Sequence, residues 1–196
     1  MKKLNIPQDV VAELGFDAKD YKFDSSNTAQ AFEILVKMND LLTVDQKIAV
    51  MERQGCHKTG QMDKASKDFG HKHAGKSLVE RLEIMSADKD APSLNDDGTI
   101  SLPVRCYAGD IDGVLRSCHC IRGGYASEFK SFIEEHPDKV LSFSQLFCGC
   151  CAGHQKHHLQ NKLGVKLKLK AIDTSAVKTE KGQKRVFVYE IAGGPQ

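Results

Sequence analysis

The spacing of apolar residues changes at Pro92, and that change decides what kind of fold the chain can adopt. Upstream, Ala31, Phe32, Ile34, Leu35, Met38, Leu41 and Leu42 recur at the spacing of one helix face. Downstream, Val165-Lys166-Leu167-Lys168-Leu169-Lys170-Ala171-Ile172 alternates apolar and polar, the period of a strand with one buried face. The expected class is therefore α+β: a helical N-terminal half followed by a mostly antiparallel sheet with packed helices.

Local signals divide the chain further. Pro7 suits the first turn of a helix over 8–14, and Asp24-Ser25-Ser26-Asn27 supplies turn and capping residues for the helix starting at Thr28. A third helix runs from Val44 to Met51 after Thr43, closing at Gly55. A fourth carries Leu78, Val79, Leu82 and Met85, while residues 60–74 are polar with only weak periodicity. After Pro92, Asn95-Asp96-Asp97-Gly98 is a tight-turn signature leading to a strand over Ile100 to Tyr107. The turn Gly109 to Gly113 leads to a partner strand over Val114 to Ile121. Ser127 to His136 reads as a helix, Phe143 to Cys150 as a short strand, and Ala152 to Leu163 as a helix closed by Gly164. Arg185 to Ile191 pairs with Val165 to Ile172 across the turn Glu180 to Gln183. At 196 residues and 40% apolar content the chain can bury a core, so one domain over 1–196 is the simplest organisation, helical over 1–90 and α/β over 91–196.

Chemistry gathers between Cys118 and Gly164, which holds five of the seven cysteines. On a strand, alternate side chains share a face, so Cys118-His119-Cys120 and Cys148-Gly149-Cys150 each present two sulfurs to one side. Two such strands side by side give the four thiolates of a tetrahedral zinc site: Cys118, Cys120, Cys148 and Cys150. The other reading of these residues is four small buried hydrophobes. Cys151 precedes Ala152-Gly153 at the expected start of a helix, where backbone amides and the macrodipole favour a thiolate. His154, His157 and His158 follow, so Cys151 with His154 or His157 is a candidate nucleophile and base. The same three histidines suit metal ligation or a solvated face.

Gly70-His71-Lys72-His73-Ala74-Gly75-Lys76-Ser77 matches the phosphate-loop pattern letter by letter, but the charged residues 64–69 leave no strand before it. Cys56-His57 with His71 and His73 resembles half of a zinc finger without its second cysteine. A net charge of +2 implies neither nucleic acid nor an anionic membrane as partner. The N-terminus has no run suited to a signal peptide, and no window is apolar enough to span a membrane. A cytoplasmic protein is expected, where clustered thiols point to metal or chemistry rather than disulfides.

Several segments resemble an uncharacterised bacterial family of cysteine-rich proteins. They are Met51 to Gly60, Phe69-Gly70 to Leu78, Leu94 to Ile100, Cys148 to His154, and Leu163 to Leu167, so the likeness covers most of residues 50–191. The C-terminal half also resembles L-2-amino-thiazoline-4-carboxylate hydrolase-like proteins and the 4-vinyl reductase domain, a small-molecule-binding α/β module. Cys148, Cys150, Gly153, Leu163-Gly164 and Gly182 match those groups, whereas Arg185, Val186 and Phe187 stand where their last cysteine falls. The resemblance bears on the fold; the paired thiols, more than a nucleophile needs, and the lack of an obvious acid to orient a histidine lead to the expectation of a small-molecule-binding or sensing protein with a cysteine-rich, zinc-binding site. The alternatives are a cysteine-dependent hydrolase of a small amide or thiazoline-like ring, with Cys150 or Cys151 as nucleophile, and a structural zinc module.

Overall fold

A computed structural model of the chain describes residues 5–18, 28–54, 58–105, 131, 134–173 and 184–193. Its helices are α1 (Gln8–Leu14), α2 (Thr28–Leu41), α3 (Val44–Met51), α4 (Gly60–Lys72), α5 (Leu78–Met85) and α6 (Val140–Leu163). Its strands are β1 (Ser93–Leu94), β2 (Ile100–Arg105), β3 (Lys166–Asp173) and β4 (Lys184–Gly193), in the spatial order β1-β2-β4-β3 with every pair antiparallel. This is the α+β class expected from the change of period at Pro92.

Capping chemistry fixes several ends. Thr43 and Gln46 form a reciprocal capping box at α3, and Ser77 and Glu80 form another at α5, each satisfying two orphan amides. The turn between β1 and β2 is held by Gly98 in the left-handed region (φ 77°) and by the Asp97 carboxylate accepting from the Thr99 amide. At the far end of α6, Gly164 takes φ 68° and donates its amide to the Gln160 carbonyl, the expected glycine stop.

Two expectations about local structure are corrected. Residues 143–150 are helical, not a strand: they belong to the first half of α6, which runs 24 residues without a break. Its apolar residues are spread around the axis instead of gathered in one stripe, because the helix packs against α3 and α4 on some sides and β3 on another. The polar segment after Thr59 is also a helix, α4, whose few inward positions include the fully buried Ser66. A helix therefore leads into Gly70, which agrees with reading the phosphate-loop pattern as chance. The turn at 109–113 and the strand expected over 114–121 lie outside the described residues, as do Cys56, His57 and Cys106; of the helix expected over 127–136, residues 131, 134 and 135 are helical.

Side chains from the sheet and from α6 share one core. Ile100, Leu102, Phe187, Tyr189, Leu167, Leu169 and Ile172 point inward against Leu146, Cys150, Cys151, Ala152, Leu159 and Leu163. In β3 the alternation slips once, at a bulge between Leu169 and Ala171, which returns Ile172 to the buried side. Two contacts bring helices unusually close. A Cβ on Gly153 of α6 would lie 2.1 Å from the Glu52 carbonyl oxygen just past α3, and one on Gly70 of α4 would lie 2.1 Å from the Asn161 carbonyl oxygen of α6. Only glycine permits either approach. The glycines of Cys148-Gly149-Cys150-Cys151-Ala152-Gly153 are thus part of a packing seam, with Gly149 against Met51.

Candidate functional site

The close approach at Gly70 lays α4 along α6 and sets a polar group between them. On α4, Asp63 and Ser66 are one turn apart; on α6, His154, His157, His158 and Asn161 lie within two turns. The Asp63 Oδ1 accepts from His157 Nε2 at 2.7 Å and from Asn161 Nδ2 at 3.2 Å, while its Oδ2 accepts from Lys67 Nζ at 2.7 Å. Ser66 Oγ donates back to the Asp63 carbonyl at 2.8 Å and lies 3.2 Å from His158 Nδ1. Since Ser66 has one proton and gives it to that carbonyl, its oxygen is left to accept from His158 Nδ1 and from Asn161 Nδ2 at 3.0 Å. The hydrogen bonds from Lys67 and then from His157 hold the Asp63 carboxyl below the usual carboxylate range.

His154 and His158 are buried and meet edge-on with ring centroids 4.7 Å apart; the His157 and His158 rings are 5.2 Å apart. Asp63, His157 and His158 each offer a ligand atom, and these atoms lie within 4.8 Å of one another. Among the described residues this is the group of three His, Cys, Asp or Glu side chains that meets such a limit, and it contains no cysteine.

The expected thiol geometry does not hold on α6. Positions 148 and 150 are two residues apart on a helix, about 200° around the axis, so the strand geometry that would bring both sulfurs to one side is absent. Cys118 and Cys120 lie outside the described residues. Cys151 sits twelve residues into α6 rather than at a helix start, so no free amides or positive helix end act on it. Cys150 and Cys151 are both buried, at 6% and 8% exposure, among apolar neighbours. Cys151 and His157 are about 120° apart around the helix, whereas Cys151 and His154, three residues apart, are about 60° apart, and Cys150, His154 and His157 share a face. An acid that orients a histidine, which the sequence did not offer, is present: it is Asp63, ninety-four residues before His157.

Two further polar groups tie the core together. The Tyr189 hydroxyl donates to the Ala152 carbonyl at 2.8 Å, and burial first, then the neighbouring Cys151 and Glu52, push its ionisation well above the ordinary tyrosine value. Glu52 pairs with Lys156 of α6 at 3.2 Å and accepts the Leu169 amide of β3 at 3.2 Å, bridging three elements.

Beside the polar seam lies an open cleft of about 640 Å³. Its wall is apolar, formed by Phe69 of α4, Ile84 and Met85 of α5, Pro92, and Leu102 and Val104 of β2. Asp88, Asp90, Gln155 and Lys162 add polar and charged groups to its lining. Arg81 braces the same end of the molecule, donating to the Ala74, Lys76 and Lys162 carbonyls. No helix of the described residues is long and apolar enough to cross a membrane. Compared with protein-family models, with curated proteins and with solved structures, the chain matches none.

Proposed function

We propose that this chain is a small-molecule-binding protein whose ligand sits in the cleft between α4, α5, β2 and α6. The observation that supports this reading is the cleft itself: about 640 Å³ of space with an apolar wall and a few polar atoms at its edge. Pockets for drug-sized ligands are typically about 300–1,000 Å³ and are built in that way. A ligand with an apolar body and a polar end fits this lining, the body against Phe69, Met85 and Leu102 and the polar end toward Asp88, Asp90 and Lys162. The resemblance of the C-terminal half to a small-molecule-binding α/β module favours the same class. Burial of Cys150 and Cys151 weighs against the cysteine-hydrolase alternative, because a nucleophilic thiol has to reach its substrate.

The test is a thermal-shift screen of small amphipathic amines, amino acids and carboxylic acids against the native chain and against Ile84→Trp and Ala91→Trp, which place a large ring in the cleft. A ligand at about 100 times its Kd contributes about 2.7 kcal/mol, enough to move the midpoint by several degrees. Compounds that stabilise the native chain and not the filled variants uphold the proposal. A panel with no stabilising compound, or one that stabilises all three proteins equally, overturns it.

A further inference from the structure

We propose that Asp63, His157 and His158 form a binding site for a divalent transition-metal ion at the seam of α4 and α6, with no cysteine among its ligands and outside the lining of the cleft. Two imidazoles and a carboxylate make a nitrogen and oxygen ligand set suited to zinc and its first-row neighbours, and three protein ligands leave a position for water. Ligand atoms at about 2.0–2.2 Å from a tetrahedral ion stand roughly 3.4 Å apart, so the group, now within 4.8 Å, closes by small side-chain rotations.

The surrounding bonds suit that role. Lys67 holds the outer carboxylate oxygen, Oδ2, leaving Oδ1 directed at the histidines. Ser66 Oγ, 3.2 Å from His158 Nδ1, restrains the His158 ring, as outer partners orient metal-bound imidazoles. The His154 ring packs against His158 from the preceding turn and limits its rotation. His157 donates its Nε2 proton to Asp63; on metal binding Nε2 gives that proton to solvent while Nδ1 carries the ring's proton, taken up from solvent where the ring starts neutral, and the ion takes the vacated place between nitrogen and oxygen. The site is assembled from two helices far apart in sequence and held in register by Gly70, which lets α4 approach the backbone of α6.

The experiment uses the full chain, stripped of metal by a chelator and then titrated with Zn²⁺ by calorimetry and with Co²⁺ by absorption. The expected result is one equivalent of either ion, with visible cobalt bands and no near-ultraviolet thiolate-to-cobalt charge transfer. Binding should be lost in Asp63→Asn and His158→Ala, and Ser66→Ala, which removes only the outer partner, should weaken it about 10–100-fold. Circular dichroism checks that the variants fold. Independently of any variant, Zn²⁺ should shift the ring resonances of His157 and His158 most strongly among the eight histidines. Absence of binding, a cobalt spectrum with the thiolate band that survives Asp63→Asn, or a zinc response centred on other histidines each overturns the proposal.

Discussion

Gly153→Ala is the substitution whose effect the packing of α6 determines most directly. In an exposed helix interior, alanine is about 1 kcal/mol more favourable than glycine. At position 153 the sign reverses, because the new Cβ would lie 2.1 Å from the Glu52 carbonyl oxygen and 2.7 Å from its carbonyl carbon. Non-bonded carbon contacts are comfortable at about 3.5–4.0 Å, so the end of α3 has to retreat by roughly 1 Å or more. Both partners are backbone, and no rotamer change relieves the clash. Overpacking of a core costs about 1–3 kcal/mol. Moving Glu52 also disturbs its bonds to Lys156 and to the Leu169 amide. Taking the upper end of that range and setting the propensity gain against it leaves a net loss of about 2 kcal/mol. For a chain of this length that lowers the thermal midpoint by about 4–8 °C. Urea unfolding followed by circular dichroism measures the change, with an unchanged m value showing that stability alone has moved. Gly75→Ala is the control, since no atom lies within 4 Å of its added carbon. A Gly153→Ala protein as stable as the native chain would refute the close approach of α3 and α6.

Three other outcomes follow from single contacts. Tyr189→Phe removes the bond to Ala152 but leaves that carbonyl in the α6 ladder, so it should cost about 0.5–1.5 kcal/mol in urea unfolding; in the native chain, alkaline absorbance titration should show fewer than four phenolates until the protein unfolds. The Asp97 carboxyl is lowered to about 2 by hydrogen bonds from Thr99 and then by Lys170, against 3.8 for the free group. Its contribution is therefore present above 3.8 and lost as pH falls through about 2, so Asp97→Asn should flatten the acid limb of the stability profile between those values. Ser77→Ala should cost about 1 kcal/mol by removing the α5 cap, and ATP should leave the melting temperature of the native chain unchanged, because Lys76 and Ser77 precede a capped helix with no phosphate-binding strand before them.

The fold was legible where one face of an element is buried and the other is wet. Lys166 to Ile172 alternates because β3 has a solvent side, and α2 and α3 carry a stripe because each covers one side of the core. The same logic explains the failures. An element buried on several sides has no period to read, so the apolar first half of α6 is indistinguishable in sequence from a buried strand. In α4 the inward stripe is small and polar, namely Asp63, Ser66 and Gly70, and a search for apolar spacing passes over it. The histidines were legible as candidates, but their partners were not, because Asp63 meets His157 across ninety-four residues of chain. A glycine at helical spacing from Ser66 and Asp63 was the available signal, since a helix interior seldom keeps glycine without a close neighbour.

What the helix does to the cysteines can be tested through their reactivity. A nucleophilic cysteine at a helix start labels rapidly near neutral pH, because amides and the macrodipole favour the thiolate. Cys150 and Cys151 lie instead in the middle of α6, buried in the shared core, with Cys151 beside Tyr189 of β4. A reagent reaches them only when the centre of the helix opens, and core elements open with free energies approaching that of global unfolding. Even a modest stability of about 5 kcal/mol slows such labelling at least about a thousandfold relative to the unfolded chain. Iodoacetamide treatment of native and urea-unfolded protein, with the modified positions located by mass spectrometry of the segment 140–156, measures that ratio for each thiol. Rapid native labelling of either Cys150 or Cys151 would show that α6 is open at its centre, and with it would go the packing around Gly149 and Gly153 and the register that sets His157 and His158 against Asp63.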